Sequence, residues 1–207
     1  MNIVIVDASG SMYRFGEVPQ ASVNQHLEDL KTPPDGREQI CMVVSFADQW
    51  KINVIPCLAT EVVPMTDYDA DGNTLLYKTV YKVIRMFLDK YKLSAHAQEN
   101  LEVVIGVFSD GDDTRSKPPY QTKDYQPKLQ AFAGEAIEAG WHLHSFGLGI
   151  DAVDLATKMG FPTDEDHCHQ SAATPEGVRE STMHFTECST RIFDQDFKPQ
   201  TEPGDQT

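Results

Sequence analysis

The feature that most constrains this chain is a series of short apolar runs, rich in β-branched residues, separated by stretches of helical period. The runs lie at Asn2 to Val6, Ile40 to Ala47, Trp50 to Cys57, Leu101 to Phe108 and Trp141 to Gly147, with a weaker one near Cys168. Most of them lack the polar alternate positions of a half-exposed strand, so the sheet they form must be covered on both faces. The covering segments are legible too. Val23, Leu27 and Leu30, then Leu76, Val80, Val83, Phe87 and Tyr91, then Leu129, Phe132, Ala133, Ala136 and Ile137 recur at three- and four-residue spacing, one apolar stripe per helix. Asp151 suits the N-cap of a helix reaching Met159 with Gly160 beyond it, and Thr174-Pro175 opens a last helix through Ile192. The alternation predicts a doubly wound α/β fold with a mostly parallel six-stranded sheet and helices on both faces. Only Asp48-Gln49 separates Ile40–Ala47 from Trp50–Cys57, too short for a crossover, so those two strands form a hairpin with one antiparallel edge strand.

With 207 residues, 40% of them hydrophobic, the chain can bury one sizeable core, and residues 1–197 are expected to form one domain. Residues 198–207 are Pro, Gly and polar, a loose tail. Lys and Arg total 17 against 32 Asp and Glu, a formal charge of -15, which repels phosphate backbones and anionic lipid and argues against nucleic acid and membrane partners. The chain opens straight into an apolar strand without a basic leader, so neither a signal peptide nor a membrane anchor is expected. The four cysteines form no CxxC pair, and reduced thiols in a cytoplasmic setting are expected.

Asp7-Ala8-Ser9-Gly10-Ser11 follows the first strand directly, and Gly10 is expected to permit the tight turn that aims both hydroxyls at one point. Ser109-Asp110-Gly111 ends the strand that starts near Leu101, and Asp71-Gly72-Asn73-Thr74 opens the helix before that strand. All three loops fall at the carboxyl edge of the sheet, beside the point where strand order should reverse, which is where open α/β sheets bind ligands. Hydroxyls plus a few carboxylates suit a hard cation that keeps some water, so Mg²⁺ is favoured, with Mn²⁺ or Ca²⁺ as alternatives.

Asp7-x-Ser9-x-Ser11, Gly72-x-Thr74 and Ser109-Asp110-Gly111 resemble the metal-ion-dependent adhesion site of von Willebrand factor A domains, which have a Rossmann-like fold. The likeness extends to Ser145-Phe146-Gly147-Leu148-Gly149, where the family's fifth strand ends. Val23-Asn24-Gln25-His26-Leu27, Ala139-Gly140-Trp141 and Ala172-Ala173-Thr174-Pro175-Glu176-Gly177 are similar to small stand-alone bacterial and phage members. The resemblance implies that Ser9 and Ser11 ligate the metal directly, Thr74 in one state, and Asp7 and Asp110 often through water. It leaves a sixth position for a partner's carboxylate. Lys78 and Thr79 depart from the family pattern, and Asp112 to Tyr120 is a polar loop whose Asp112, Arg115 and Lys117 are expected on the partner-choosing rim.

These features imply a metal-dependent protein-binding module whose ligand is an acidic side chain of another protein. An adaptor subunit of a larger assembly, such as an AAA+ ATPase or a phage particle, is a second reading, and a metal-assisted hydrolase a third. No phosphate-cradling Gly-rich loop or Asp-x-Asp-x-Thr pattern accompanies the site, so an enzyme is not expected. The sequence does not fix an oligomeric state. Asp164 to His169, with His184 and Cys188, offers side chains that zinc accepts, but at no known finger spacing. On a strand, His167 and His169 point one way and Cys168 the other. His142 and His144 are expected to face solvent or to be hydrogen-bonded.

Overall fold

The computed structural model describes residues 1–32 and 37–195, with side chains up to residue 190. The residues expected to form a loose tail lie outside this range. The sheet has six strands in the order β3-β2-β1-β4-β5-β6: β1 Asn2–Asp7, β2 Ile40–Phe46, β3 Trp50–Leu58, β4 Val104–Ser109, β5 His142–Leu148 and β6 Cys168–Ser171. All neighbours are parallel except β2 and β3, which form the expected hairpin. Six α-helices surround it: α1 Val18–Asp29, α2 Leu76–Lys92, α3 Ala95–Asn100, α4 Gln126–Glu138, α5 Ala152–Met159 and α6 Pro175–Gln195.

The pleat of β1 sorts its side chains between two cores. Ile3 and Ile5 join Met42, Val44, Ile105, Val107 and Leu143 under α2, α4 and α5, whereas Val4 and Val6 join Val43, Phe108 and Phe146 under α1 and α6. Because every residue of β1 and β4 is buried, no alternation in polarity survives there, as the continuous apolar runs required. Gly106 on β4 has a packing role: a Cβ there would stand 2.7 Å from the ring of Phe185, so its absence lets α6 lie close to the sheet.

Both ends of α5 follow the local chemistry. Asp151 accepts from the amides of Val153 and Asp154, and Gly160 closes α5 in the left-handed region at φ 75. α2, like α1 and α4, has an N-cap residue whose side chain makes no capping bond. Its first amides are satisfied from the loop after β4: Tyr77 N–H donates to Asp113 Oδ2 and Lys78 N–H to Ser116 Oγ. The strand expected from Leu101 begins instead at Val104; α3, capped by Ser94, runs to Asn100, and Leu101 to Val103 link it to the strand. The turn expected at Gly10 is present and brings the Ser9 and Ser11 hydroxyls together, but the part that the glycine plays in it is different. Residues Gly10–Phe15 form a 3-10 helix, the positive φ falls at Gly16, and Gly10 instead permits close approach to Gly72, whose carbonyl accepts its amide at 3.0 Å.

Candidate metal centre

β1 lies between β2 and β4, and the strand order runs outward from it in opposite senses, so the carboxyl ends of β1 and β4 border the switch point of the sheet. Asp7 closes β1, with its carboxylate inside the fold: Oδ1 accepts the Ser9 amide at 2.8 Å, and Oδ2 accepts the Ser109 hydroxyl at 2.6 Å. Those bonds turn the chain so that the Ser9 and Ser11 hydroxyls stand 3.1 Å apart. Ser11 Oγ also donates to Asp110 Oδ1 at 2.7 Å, which joins the loops after β1 and β4 through their side chains. Four of the five expected ligands are thereby gathered into one connected set.

Thr74 is brought to the same edge by other means. Gly10 N–H to Gly72 O and Asp71 N–H to Ala8 O tie its loop to the loop after β1. The Thr74 amide donates to Thr114 Oγ1, and its carbonyl accepts from the amides of Thr114 and Arg115. The hydrogen bonds of the Thr74 backbone therefore run to the loop after β4, while Asp7, Ser9, Ser11 and Asp110 are linked to one another, with Ser109 and Arg14 completing the two carboxylates. Asp113 anchors that loop: besides Tyr77, it accepts from the amides of Arg115 and Ser116.

The electrostatics favour a cation. Asp7 is fully buried, and burial lifts its carboxyl to about 6 from an ordinary 3.8. The hydrogen bonds from Ser109 and Ser9 pull the other way, and the Asp110 carboxylate adds repulsion. Arg14 Nη2 lies 2.9 Å from Asp110 Oδ2, with its side chain half exposed. The Ser9 and Ser11 hydroxyls and the Asp110 carboxylate, joined by hydrogen bonds, together with the Asp7 carboxylate on the Ser9 amide, form an all-oxygen donor set that fits a hard divalent ion. Thr74, 7% exposed, supplies a further hydroxyl at the same edge.

The expected rim residues flank this edge. Exposed Asp112 pairs with Lys158 at 2.7 Å, Arg115 lies 3.6 Å from Asp48 and over the Tyr120 ring, and Lys117 is exposed. Lys78, where the family pattern is broken, turns to Gln121 Oε1 at 2.7 Å. On the other side, a groove of about 520 Å³ is lined by Asp48, Asp67, Asp69 and Asp71. Sequence reasoning missed Ser109 as a partner of Asp7, Arg14, Asp113 as a loop anchor, and Asp48. Ser109 stands inside the quoted motif; Arg14, Asp48 and the bond from Tyr77 to Asp113 act across the fold and have no local signature.

No protein-family profile and no curated protein matches the sequence. Solved structures do. The vWF domain of a type V pili tip protein from Porphyromonas gingivalis superposes with a TM-score of 0.59 at 13% identity, covering 100% of this chain and 97% of that one. This is the von Willebrand factor A fold. The pilus adhesin SpaC from Lactobacillus rhamnosus GG, in its open conformation, superposes with a TM-score of 0.61 at 12% identity over 93% of this chain. The manganese-loaded TRAP protein of Plasmodium vivax matches at 0.56 and 13% identity over 89% of this chain and 72% of that one. The chain spans only 30% of the SpaC chain and less than half of several other structures it matches.

Proposed function

We propose that the chain is a non-enzymatic protein-binding module whose carboxyl-edge site holds a divalent cation, Mg²⁺ first, through Asp7, Ser9, Ser11, Thr74 and Asp110. The observation that carries this is the Ser11 hydroxyl, hydrogen-bonded to both Ser9 Oγ and Asp110 Oδ1 across two loops far apart in sequence. A manganese-loaded neighbour of the same fold supports the class of ion. Hydroxyl ligands leave much of the ion's charge unneutralised, so the bound ion is a positive centre on a chain of charge -15. It recruits a carboxylate from a partner protein, and Asp112, Arg115 and Lys117 select among partners.

The site serines bond to a carboxylate and to each other, an arrangement suited to ligation rather than to nucleophilic attack assisted by a base. Several solved neighbours carry this fold inside much longer chains, which favours service as one part of a larger assembly. We assign the protein to a reducing compartment because its four cysteines form no disulfide with one another. Among the described residues, no helix is long and apolar enough to cross a membrane. The test is capture of a partner in Mg²⁺, in EDTA, and with Thr74→Ala. Loss in EDTA and weakening with Thr74→Ala are expected; equal capture in all three would mean that recognition uses another face.

A further inference from the structure

Part-way along β5, on the face of the sheet that α6 covers, the fold gathers a second set of ligating side chains. His144 on β5, His169 on β6 and Cys188 on α6 each bring a ligand atom to within 4.8 Å of the others. The strands are parallel neighbours and α6 packs on both. Gly106 stands beside His144 in the sheet, and the Phe185 ring it admits sets the height at which Cys188, three residues on, meets the strands. The His184 ring, one turn before Cys188, lies 3.9 Å from that of His169, and His167 stacks on His144 at 4.9 Å.

His144, expected to be solvated or hydrogen-bonded, is shut away from solvent, with the Asp166 backbone as its nearest hydrogen-bonding group. It is 2% exposed, and neither ring nitrogen makes a well-formed hydrogen bond among the described residues. Buried polar atoms are seldom left unsatisfied, and an ion is one of the usual reasons. Burial, reinforced by neighbouring histidines, holds His144 down to about 3 and His169 to about 4, so both imidazoles are neutral near pH 7 and carry the lone pair a metal takes. His169 Nε2 lies 3.2 Å from the Asp166 carbonyl; with that nitrogen donating, the ring is fixed and Nδ1 is left to ligate. Cys168 points to the other face, its Sγ 3.2 Å from the Pro162 carbonyl and 3.3 Å from Ser145 Oγ. A groove of about 380 Å³ between β6 and α6, lined by His169, His184, Glu180 and Glu187, gives access from solvent.

We propose that His144, His169 and Cys188 form a second metal site, selective for Zn²⁺ and separate from the carboxyl-edge site, with the fourth tetrahedral position toward the groove where His184 stands. Two imidazoles and a thiolate suit a borderline-soft ion and disfavour Mg²⁺, Ca²⁺ and Mn²⁺. On binding, Cys188 gives up its thiol proton to solvent and the sulfur donates its lone pair to the metal. The ion ties β5, β6 and α6 together.

The test titrates the full chain with Co²⁺ in excess Mg²⁺ and follows thiolate-to-cobalt charge-transfer absorption, then displaces Co²⁺ with Zn²⁺. One Co²⁺ per chain with that absorption is expected. Cys188→Ser should abolish the absorption, and Cys188→Ser and the edge variant His169→Gln should each weaken Zn²⁺ binding on the order of a hundredfold. Cys168→Ser should change neither. Absence of the charge-transfer band in the wild-type chain, or wild-type Zn²⁺ affinity in folded His169→Gln, overturns the proposal. So does loss of the band in Cys168→Ser with its retention in Cys188→Ser.

Discussion

Metal binding at the carboxyl edge should be coupled to release of a proton from Asp7. In the metal-free fold, burial holds the Asp7 carboxyl near 6 rather than 3.8. For this fully buried group, a shift of that size corresponds to about 3 kcal/mol. The sign follows from which state keeps the proton. Between about pH 4 and 6 the metal-free fold holds a proton that the unfolded chain has lost, so this contribution to stability falls as pH rises through that window. A divalent ion needs the carboxylate, so it binds by expelling the proton. Its affinity should drop about tenfold for each pH unit below 6 and level off above about 7. Calorimetric titration with Mn²⁺ in buffers of different ionisation enthalpy counts the protons directly: about 0.9 released per ion at pH 5 and about 0.1 at pH 7 are expected. A count that stays constant from pH 5 to 7 would refute the role given to Asp7.

Other outcomes follow from packing and loop anchoring. Gly106→Ala puts a methyl group 2.7 Å from the Phe185 ring, where about 3.5–4.0 Å is comfortable, and should cost about 1–3 kcal/mol in urea unfolding; Phe185→Leu in the same chain should recover part of the loss. Asp113→Ala removes the acceptor for the Tyr77, Arg115 and Ser116 amides, and should lower stability by about 1 kcal/mol or more and weaken Mn²⁺ binding, both read by thermal melts with and without the ion. His26 is buried on α1, with Nδ1 2.8 Å from Thr186 Oγ1, and burial lowers it from 6.5 to about 4. Its stabilisation is therefore complete above pH 6.5 and is lost as pH falls toward 4, so unfolding of His26→Gln should depend less on pH across that range.

The architecture was legible because its signals are local. Continuous apolar runs announce strands buried on both faces, a two-residue gap forces the β2–β3 hairpin, and Asp151 with Gly160 bounds α5. The residues converging at the carboxyl edge were legible for a related reason. Each sits at the end of a strand or the start of a helix, so placing the elements places Asp7, Ser9, Ser11 and Asp110 together. What escaped acts at a distance. Asp113 caps a helix that begins 37 residues before it in the chain, taking the place of a local N-cap. The His144, His169 and Cys188 cluster depends on the height of α6 above β5 and β6, which Gly106 and Phe185 set by contact. α3 was hidden because its six residues carry no apolar stripe and bury none.

The central claim is tested most directly by Mn²⁺ titration followed by electron paramagnetic resonance, in the wild-type chain, Asp7→Ala and Cys188→Ser. Mn²⁺ is a hard ion that the nitrogen and sulfur cluster should decline, so its signal reports the carboxyl edge. The expected result is one bound Mn²⁺ per chain in wild type and Cys188→Ser, displaced by Mg²⁺, and none in folded Asp7→Ala. Equal Mn²⁺ binding in wild type and Asp7→Ala would contradict the account, because the ion would then lie somewhere other than among the loops after β1 and β4.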